Sequence, residues 1–217
     1  HGEPTSSGGM KYLLSTALGI THGRGNSVDE IIASLRRAKL ADGSKPKGTI
    51  YYMRNRDIRS KVRHNLFPAA VKELKAIGVK AVILDGAVPL QKPDVMGITS
   101  GTPHLRLQGS GSTLLPGALV DNLTSQGAYL NRPAGPKPQT RLSEYLRLGA
   151  AGASGTVIEP YAIAQKFPSP ALHLHYARGC SMAEAFYQSV QGPYQLLILG
   201  DPLCQPWAMI PEVTVDG

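Results

Sequence analysis

Short apolar runs alternate with amphipathic segments along the first half of the chain. Apolar runs of strand length occur at 11–20, 48–54 and 79–86. A capping box, Ser27 with Glu30, opens the first predicted helix, and a second helix is predicted from Pro68 to Gly78. The apolar face of the first helix is expected to consist of Val28, Ile31, Ile32 and Leu35. The resulting β-α-β-α-β order predicts a parallel sheet with right-handed crossovers.

The second half continues the same alternation. Further strands are predicted at 94–101, 118–125, 152–160 and 194–200, and helices at 140–149 and after Gly179. The nearly continuous apolar run at 79–86 is typical of a parallel strand that is covered on both faces. The pattern therefore predicts an α/β fold: a doubly wound, mostly parallel sheet flanked by helices.

One domain accounts for most of the chain. Residues 1–10 are small and polar and are interpreted as a linker, residues 11–207 as a single α/β domain, and residues 208–217 as a tail that could lead into a further domain. The sequence begins with His1 rather than Met, so we expect it to be a piece of a longer protein. No apolar run is long enough to span a bilayer.

Basic residues are concentrated in one segment of the chain. The formal net charge is +8, and the basic excess lies in residues 1–80, densest at 53–64. A surface of this kind could meet an acidic partner or polymer. Its candidate contacts are Arg54, Arg56, Arg59, Lys61 and Arg63. Aromatic residues are not interleaved with these charges as in single-strand binders, so nucleic-acid binding is not predicted.

Four motifs suggest a family. VDNLTSQGAYL (120–130), GASGTVIEPYAI (152–163), GCSMAEAFYQSV (179–190) and LILGDPLCQPW (197–207) resemble the C-terminal half of a family of uncharacterised, mostly exported bacterial proteins. That family is distantly similar to gingipain-type and caspase-like cysteine peptidases. The resemblance implies a caspase-like sheet and an exported location, whether periplasmic, on the cell surface or extracellular.

In such folds a site lies beyond the carboxyl ends of the strands. Caspase-like peptidases supply a His from one strand end and a Cys from the next. The matching strand ends here offer Thr99 and Ser100, and then Asp121, Asn122, Thr124 and Ser125. The expected His and Cys are both missing, which argues against thiol catalysis. Asp121 and Asn122 could instead bond backbone groups of the following turn.

Two other residues complete the candidate list. His104 follows the first of these strand ends and is the best candidate for a general base acting on a hydroxyl nucleophile. Glu159 ends a third strand and is a binding candidate, with Thr99 and Ser100.

The two cysteines leave three alternatives open. Cys180 and Cys204 could form a disulfide, as the implied exported location favours. They could also be two buried thiols, or Cys180 could be a reactive thiol beside a helix N-terminus. His173 and His175 would share a face only in an extended segment, but their surroundings favour a helix, so no metal site and no cofactor are predicted.

The function predicted from these observations is a non-catalytic binding or assembly module of an exported protein, with a protein partner or a larger assembly. The alternative is an active, peptidase-like hydrolase that uses the cluster Asp121–Ser125 with His104 or with a part of the parent protein outside this sequence.

Overall fold

The structure is a computed structural model that describes residues 15–131 and 138–209. Its strands are β1 (Thr16–Ala17), β2 (Thr49–Arg54), β3 (Lys80–Asp85), β4 (Val95–Gly101), β5 (Leu114–Leu123), β6 (Gly152–Thr156) and β7 (Leu196–Gly200). They form one seven-stranded sheet in the order β1-β7-β6-β5-β4-β2-β3. All neighbouring pairs are parallel except β6 with β7. The predicted α/β class and the mostly parallel sheet are confirmed.

Six α-helices accompany the sheet in the described residues. They are α1 (Val28–Ala41), α2 (Ile58–Lys61), α3 (Phe67–Ala76), α4 (Leu142–Arg147), α5 (Leu172–Ala177) and α6 (Met182–Ser189). The predicted capping boxes are present at the start of α1 and of α6. Within the described residues, no helix combines the length and the apolar character needed to cross a bilayer.

Side chains that alternate along the strands divide the core between the two faces of the sheet. On β5, Val120 packs in a cluster with Tyr145 of α4, whereas Leu119 packs in a second cluster with Met182 of α6. A third cluster joins Tyr52 of β2 to Leu74 of α3. Both faces are therefore covered by helices, as expected for an α/β sheet.

Several strands differ from the sequence prediction. Among the described residues β1 is only Thr16–Ala17, and β6 ends at Thr156, so Glu159 follows the strand rather than ending it. β5 begins at Leu114, within the segment predicted as a loop, and its pairing with β4 shifts register between Val95 and Gly97. It ends at Leu123, so Thr124 and Ser125 follow the strand. β3 is the last strand in the sheet order, and its apolar residues Val82–Leu84 are only partly buried. β3 is nevertheless covered in part on both faces, since Val82 and Leu84 pack against one core cluster and Ile83 against another.

The predicted apolar face of α1 is correct only for Ile31 and Leu35, which are partly buried. Val28 and Ile32 are exposed, and the buried residues of α1 are Ser34, Ala38 and Ala41. Small side chains let this helix approach the rest of the protein closely. The Ser34 hydroxyl donates a hydrogen bond to the Ala150 carbonyl across 3.1 Å. Close backbone approach, rather than a stripe of large side chains, therefore holds α1.

The strand β6, GASGT, is built almost entirely from small residues because both of its sides are crowded. A Cβ at Gly152 would lie 2.7 Å from Cγ of Met182, and one at Gly155 would lie 2.6 Å from the carbonyl carbon of Gly127. The close approach at Gly155 accompanies a backbone hydrogen bond of 3.1 Å from Ala128 to Thr156. Residues that follow β5 thus lie directly against β6.

A similar close approach fixes α5 against β4. A Cβ at Gly97 would lie 2.6 Å from the ring of His173, which is fully buried. The segment 172–177 is helical, as predicted, so His175 lies on a different side of the helix and is only partly buried. Gly97 provides the space that the His173 imidazole fills.

Replacing Gly97 with alanine is expected to lower the free energy of unfolding by about 1–3 kcal/mol, because the new methyl group overlaps the imidazole of His173. Gly192→Ala is the matched control, since its Cβ would meet only Gln165 O at 3.6 Å. Urea denaturation of both variants measures the difference. Equal stability of the two variants would contradict the close packing of α5 on β4.

Candidate functional site

The sheet brings the predicted strand-end residues together. Thr99 pairs with Asp121 and Ser100 pairs with Asn122 in the register of β4 and β5. These four side chains are buried, with no more than 1% of their surface exposed. The carboxyl ends of β4 and β5 thus carry two buried polar pairs, Thr99 with Asp121 on one face of the sheet and Ser100 with Asn122 on the other. The contacts of each pair decide what it can do.

Asp121 forms a buried ion pair with Arg63. One guanidinium nitrogen, Nη1, contacts Oδ2 of Asp121 and also donates to the Pro168 carbonyl across 2.8 Å, while Nη2 donates to the Ser100 carbonyl across 2.5 Å. The hydroxyl of Ser154 donates to the other carboxylate oxygen across 3.1 Å. Both Arg63 and Asp121 are 1% exposed, so this carboxylate is fully occupied by the protein.

The electrostatics of the pair follow from burial. Desolvation raises the pKa of Asp121 above its ordinary value, and the charge and hydrogen bonds of Arg63 offset part of that increase. The guanidinium neutralises a carboxylate that would otherwise be very costly to bury. Asp121 therefore serves as the counter-charge of Arg63, and this role leaves its carboxylate unavailable as a proton acceptor.

Asn122 holds the chain that follows β4. Its Oδ1 accepts the Thr102 backbone N–H, and its Nδ2 donates to the Thr102 carbonyl, both across 3.0 Å. Nδ2 also donates to the hydroxyl of Tyr145 across 3.1 Å. The amide thus imitates a strand partner for a residue that follows β4. The alternative that Asp121 and Asn122 bond the turn after their own strand is wrong, because Asn122 bonds Thr102 and Asp121 bonds Arg63 and Ser154.

Thr124 and Ser125 lie just after β5 and are also buried. The hydroxyl of Thr124 donates to Oε1 of Gln139, and the Thr156 hydroxyl donates to the Thr124 carbonyl across 3.1 Å. The exposed residue His104 lies in the loop after β4, where its backbone N–H donates to the Thr102 hydroxyl across 3.3 Å. Among the described residues, no hydrogen bond joins the His104 ring to Ser125.

The remaining candidates also have partners within the protein. Thr99 Oγ1 lies 3.1 Å from Nε2 of His173, and Ser100 donates to the Ala87 carbonyl across 2.8 Å. Burial lowers the pKa of His173 to about 3, so its imidazole is neutral at physiological pH. Glu159 is exposed and accepts the backbone N–H of Tyr161 across 2.9 Å. Each contact stabilises a turn or a packed layer.

Both cysteines are free thiols, so the predicted disulfide is not present. Cys204 is buried against α1, and its Sγ accepts a hydrogen bond of 3.1 Å from Tyr176. Desolvation raises the pKa of Cys204 to about 12, which keeps it a protonated thiol. Cys180 is partly buried and accepts a hydrogen bond of 3.4 Å from Gln188.

The predicted basic surface at 53–64 needs correction. Arg63 is buried in the ion pair with Asp121 and is not available to a partner. Arg54 pairs with Asp85 across 2.9 Å, and Arg59 pairs with Asp57 across 3.1 Å. Arg56 and Lys61 are exposed without an ion pair among the described residues. The sequence prediction counted charges, but the fold buries one of these five residues and pairs two others with nearby carboxylates.

The structure adds one pair that sequence reasoning missed. The Ser60 hydroxyl oxygen lies 2.6 Å from Nε2 of His64, at the carboxyl end of β2. Burial, with the charges of Arg54, Lys61 and Arg63, lowers the pKa of His64, which favours a neutral imidazole. The spacing of four residues was the signal in the sequence, because residues four apart are neighbours on a helical turn.

Ser60 is nevertheless closely held. It is 1% exposed, its oxygen accepts the Asn55 backbone N–H across 3.2 Å, and it lies 3.1 Å from the Met53 carbonyl oxygen. The chain at this point also packs on β4, because a Cβ at Gly101 would lie 2.4 Å from the Ser60 nitrogen. These contacts fix α2 on the sheet and limit access to the hydroxyl.

Within the described ranges, no group of three His, Cys, Asp or Glu side chains could hold a metal ion. Comparison with protein-family models, curated proteins and solved structures gave no match to this chain. The resemblance to an exported, gingipain-like or caspase-like family therefore stays a prediction, and the arguments about function rest on the geometry described above.

Replacing one member of the buried ion pair is expected to be strongly destabilising. Arg63→Met and Asp121→Leu should each lower the free energy of unfolding by about 3–5 kcal/mol, because each leaves an uncompensated buried charge. The double variant should lose less than either single variant, since it buries no charge. Urea denaturation of all three proteins measures this coupling.

The control is Glu73→Ala, which removes the exposed ion pair with Arg178 and should leave stability unchanged within error. If the effects of Arg63→Met and Asp121→Leu simply add in the double variant, the two side chains are not coupled as the geometry requires.

Proposed function

We propose that this chain is a non-catalytic, caspase-like α/β module that binds or assembles with another protein, within an exported bacterial protein. One observation carries the non-catalytic part: the polar side chains at the strand ends are engaged inside the protein. Asp121 is the counter-charge of Arg63, and Asn122 bonds the Thr102 backbone. A general base or nucleophile must reach substrate, and these groups are buried.

An exposed apolar loop supports a protein partner. The segment that follows β6 presents four large apolar side chains, each between 41% and 71% exposed: Val157, Ile158, Tyr161 and Ile163. Tyr161 has a positive φ of 57°, and its backbone N–H is held by Glu159. A contiguous apolar patch on a protein surface is typical of a contact site. The loop lies at the same edge of the sheet as the buried cluster.

A hydrolase is the second candidate function. The observation that favours it is the contact of Ser60 with His64, and not the predicted cluster Asp121–Ser125 with His104. Ser60 and His64 form a hydroxyl–imidazole contact of 2.6 Å, the arrangement that activates a serine nucleophile. The burial of Ser60 counts against this function, as does the engagement of its oxygen by Asn55. The non-catalytic module is therefore the better supported proposal.

Labelling with a fluorophosphonate and with a thiol-reactive acyloxymethyl ketone tests the two functions. We expect no saturable modification of Ser60, Thr124, Ser125 or Cys204 in the folded chain, because none of these groups is both accessible and activated. Peptide mapping by mass spectrometry measures the modification of each site. Cys180, which is partly exposed, is expected to react slowly and without saturation.

The hydrolase would be supported by stoichiometric labelling of Ser60 that is lost in His64→Gln and kept in His22→Gln, an exposed histidine elsewhere. Stoichiometric labelling of Ser125 that is lost in His104→Gln would support the hydrolase at the Asp121–Ser125 cluster. Either result would overturn the non-catalytic proposal.

A photoreactive phenylalanine analogue at Tyr161 tests the partner surface. In cells that produce the protein, irradiation is expected to give a discrete adduct of higher mass, because the loop would lie against its partner. The same analogue at Leu203, which is 76% exposed outside the loop, is the control position. Equal adducts at both positions, or none at Tyr161, would contradict a partner at this loop.

A further inference from the structure

A cleft of about 550 Å³ lies beside α4. Three segments line it: residues 23–25, residues 105–108 and residues 140–148. Its volume falls in the range of sites that bind small molecules. The floor includes the buried apolar residues Leu105, Leu107 and Tyr145.

The lining of this cleft is strongly basic. It contains the four arginines Arg24, Arg106, Arg141 and Arg147, and its one carboxylate is Glu144. Arg147 pairs with Glu30 across 2.7 Å. Glu144 accepts the backbone N–H of Arg141 across 3.0 Å at the start of α4. Within the described part of the chain, the other three guanidinium groups form no ion pair.

Arg141 is the unusual member of this set. It is 2% exposed, and two of its nitrogens are used: Nε donates to the Tyr129 carbonyl across 2.9 Å, and Nη1 donates to the Gln139 carbonyl across 2.8 Å. Its Nη2 is buried and has no hydrogen-bond partner among the described residues. A buried charged donor without a partner is costly, so the position calls for an acceptor.

A second cation increases this demand. Desolvation, and then the charge of Arg24, lower the pKa of Arg141, whereas Glu144 raises it. The charge of Arg24 thus affects Arg141 more strongly than the opposite charge of Glu144 does. An anion bound by both Arg24 and Arg141 would relieve the repulsion between them and accept hydrogen bonds from their free N–H groups.

The segment that carries Arg24 is held in place before any ligand arrives. The Arg24 backbone N–H donates to the Leu130 carbonyl, and Asn26 donates to the Ile20 carbonyl, both across 2.7 Å. Gly23 has a positive φ of 62°, and a Cβ there would lie 2.1 Å from Leu130 O. A rigid loop reduces the entropy that binding must overcome.

We propose that this cleft binds a small molecule through a phosphate or carboxylate group, which accepts hydrogen bonds from Nη2 of Arg141 and from Arg24, with Arg106 at the rim. Guanidinium groups match both oxyanions because their N–H donors lie in a planar fork. The apolar floor then contacts the uncharged part of the ligand. The site is independent of the proposed protein-binding function.

Calorimetric titration with inorganic phosphate, phenyl phosphate and succinate tests the proposal. We expect at least one probe to bind, and phenyl phosphate to bind more tightly than inorganic phosphate because its ring meets the apolar floor. Arg24→Gln and Arg141→Lys should each weaken that binding about tenfold or more. Arg141→Lys keeps a positive charge and so tests the fork rather than the charge alone.

Arg36→Gln, an exposed arginine of α1 outside the cleft, is the matched control and should leave binding unchanged. Binding of the phosphates alone would identify a phosphate ligand, and binding of succinate alone a carboxylate ligand. Circular dichroism confirms that each variant is folded. The proposal is overturned if no probe binds at about 10 mM, or if Arg36→Gln weakens binding as much as Arg24→Gln does.

Discussion

The buried ion pair of Arg63 with Asp121 is the interaction on which the architecture of this protein most depends. The guanidinium bonds the end of β4 through Ser100, β5 through Asp121, and the segment before α5 through Pro168. Three parts of the chain that are distant in sequence therefore meet at one side chain. Burying two charges is costly, and such a pair is tolerated only where its geometry satisfies both partners. This pair has four hydrogen bonds, including that from Ser154, although Nε of Arg63 is buried without a partner among the described residues.

A second buried arginine, Arg141, makes an instructive contrast. Each has one buried nitrogen without a partner among the described residues, but Arg63 has its own carboxylate, whereas Arg141 has only carbonyl oxygens. The first arginine closes the edge of the sheet where related architectures place catalysis. The second leaves a demand for negative charge in a cleft beside α4. In this protein the charge of the arginine at the sheet edge is therefore balanced by a carboxylate, and that of the arginine in the cleft is not.

The sequence predicted the fold well where local patterns decide the structure. The capping boxes of Ser27 and Ser181 and the buried run of β7 are examples, because short-range periodicity and helix caps determine them. The sequence prediction was wrong where long-range contacts determine which residues are buried. In α1, Ser34 and Ala38 are buried instead of Val28 and Ile32. Arg63, predicted to lie on the surface, is in the interior. The candidate residues from Thr99 to Ser125 were brought together as expected, but their hydrogen-bond partners, such as Thr102 and Gln139, come from loops whose paths no periodicity predicts.

The small residues of β6 have a consequence for how this sequence could change over time. A strand usually tolerates exchange among β-branched and aromatic side chains, because such groups pack on one face or the other. In β6, the side chain of Met182 fills the space beside Gly152, and the backbone of Gly127 fills the space beside Gly155. Any larger residue at these positions would have to displace a neighbouring layer. A strand of such small side chains thus has little freedom to change, and we expect substitutions to be tolerated more readily in the outer helices and loops.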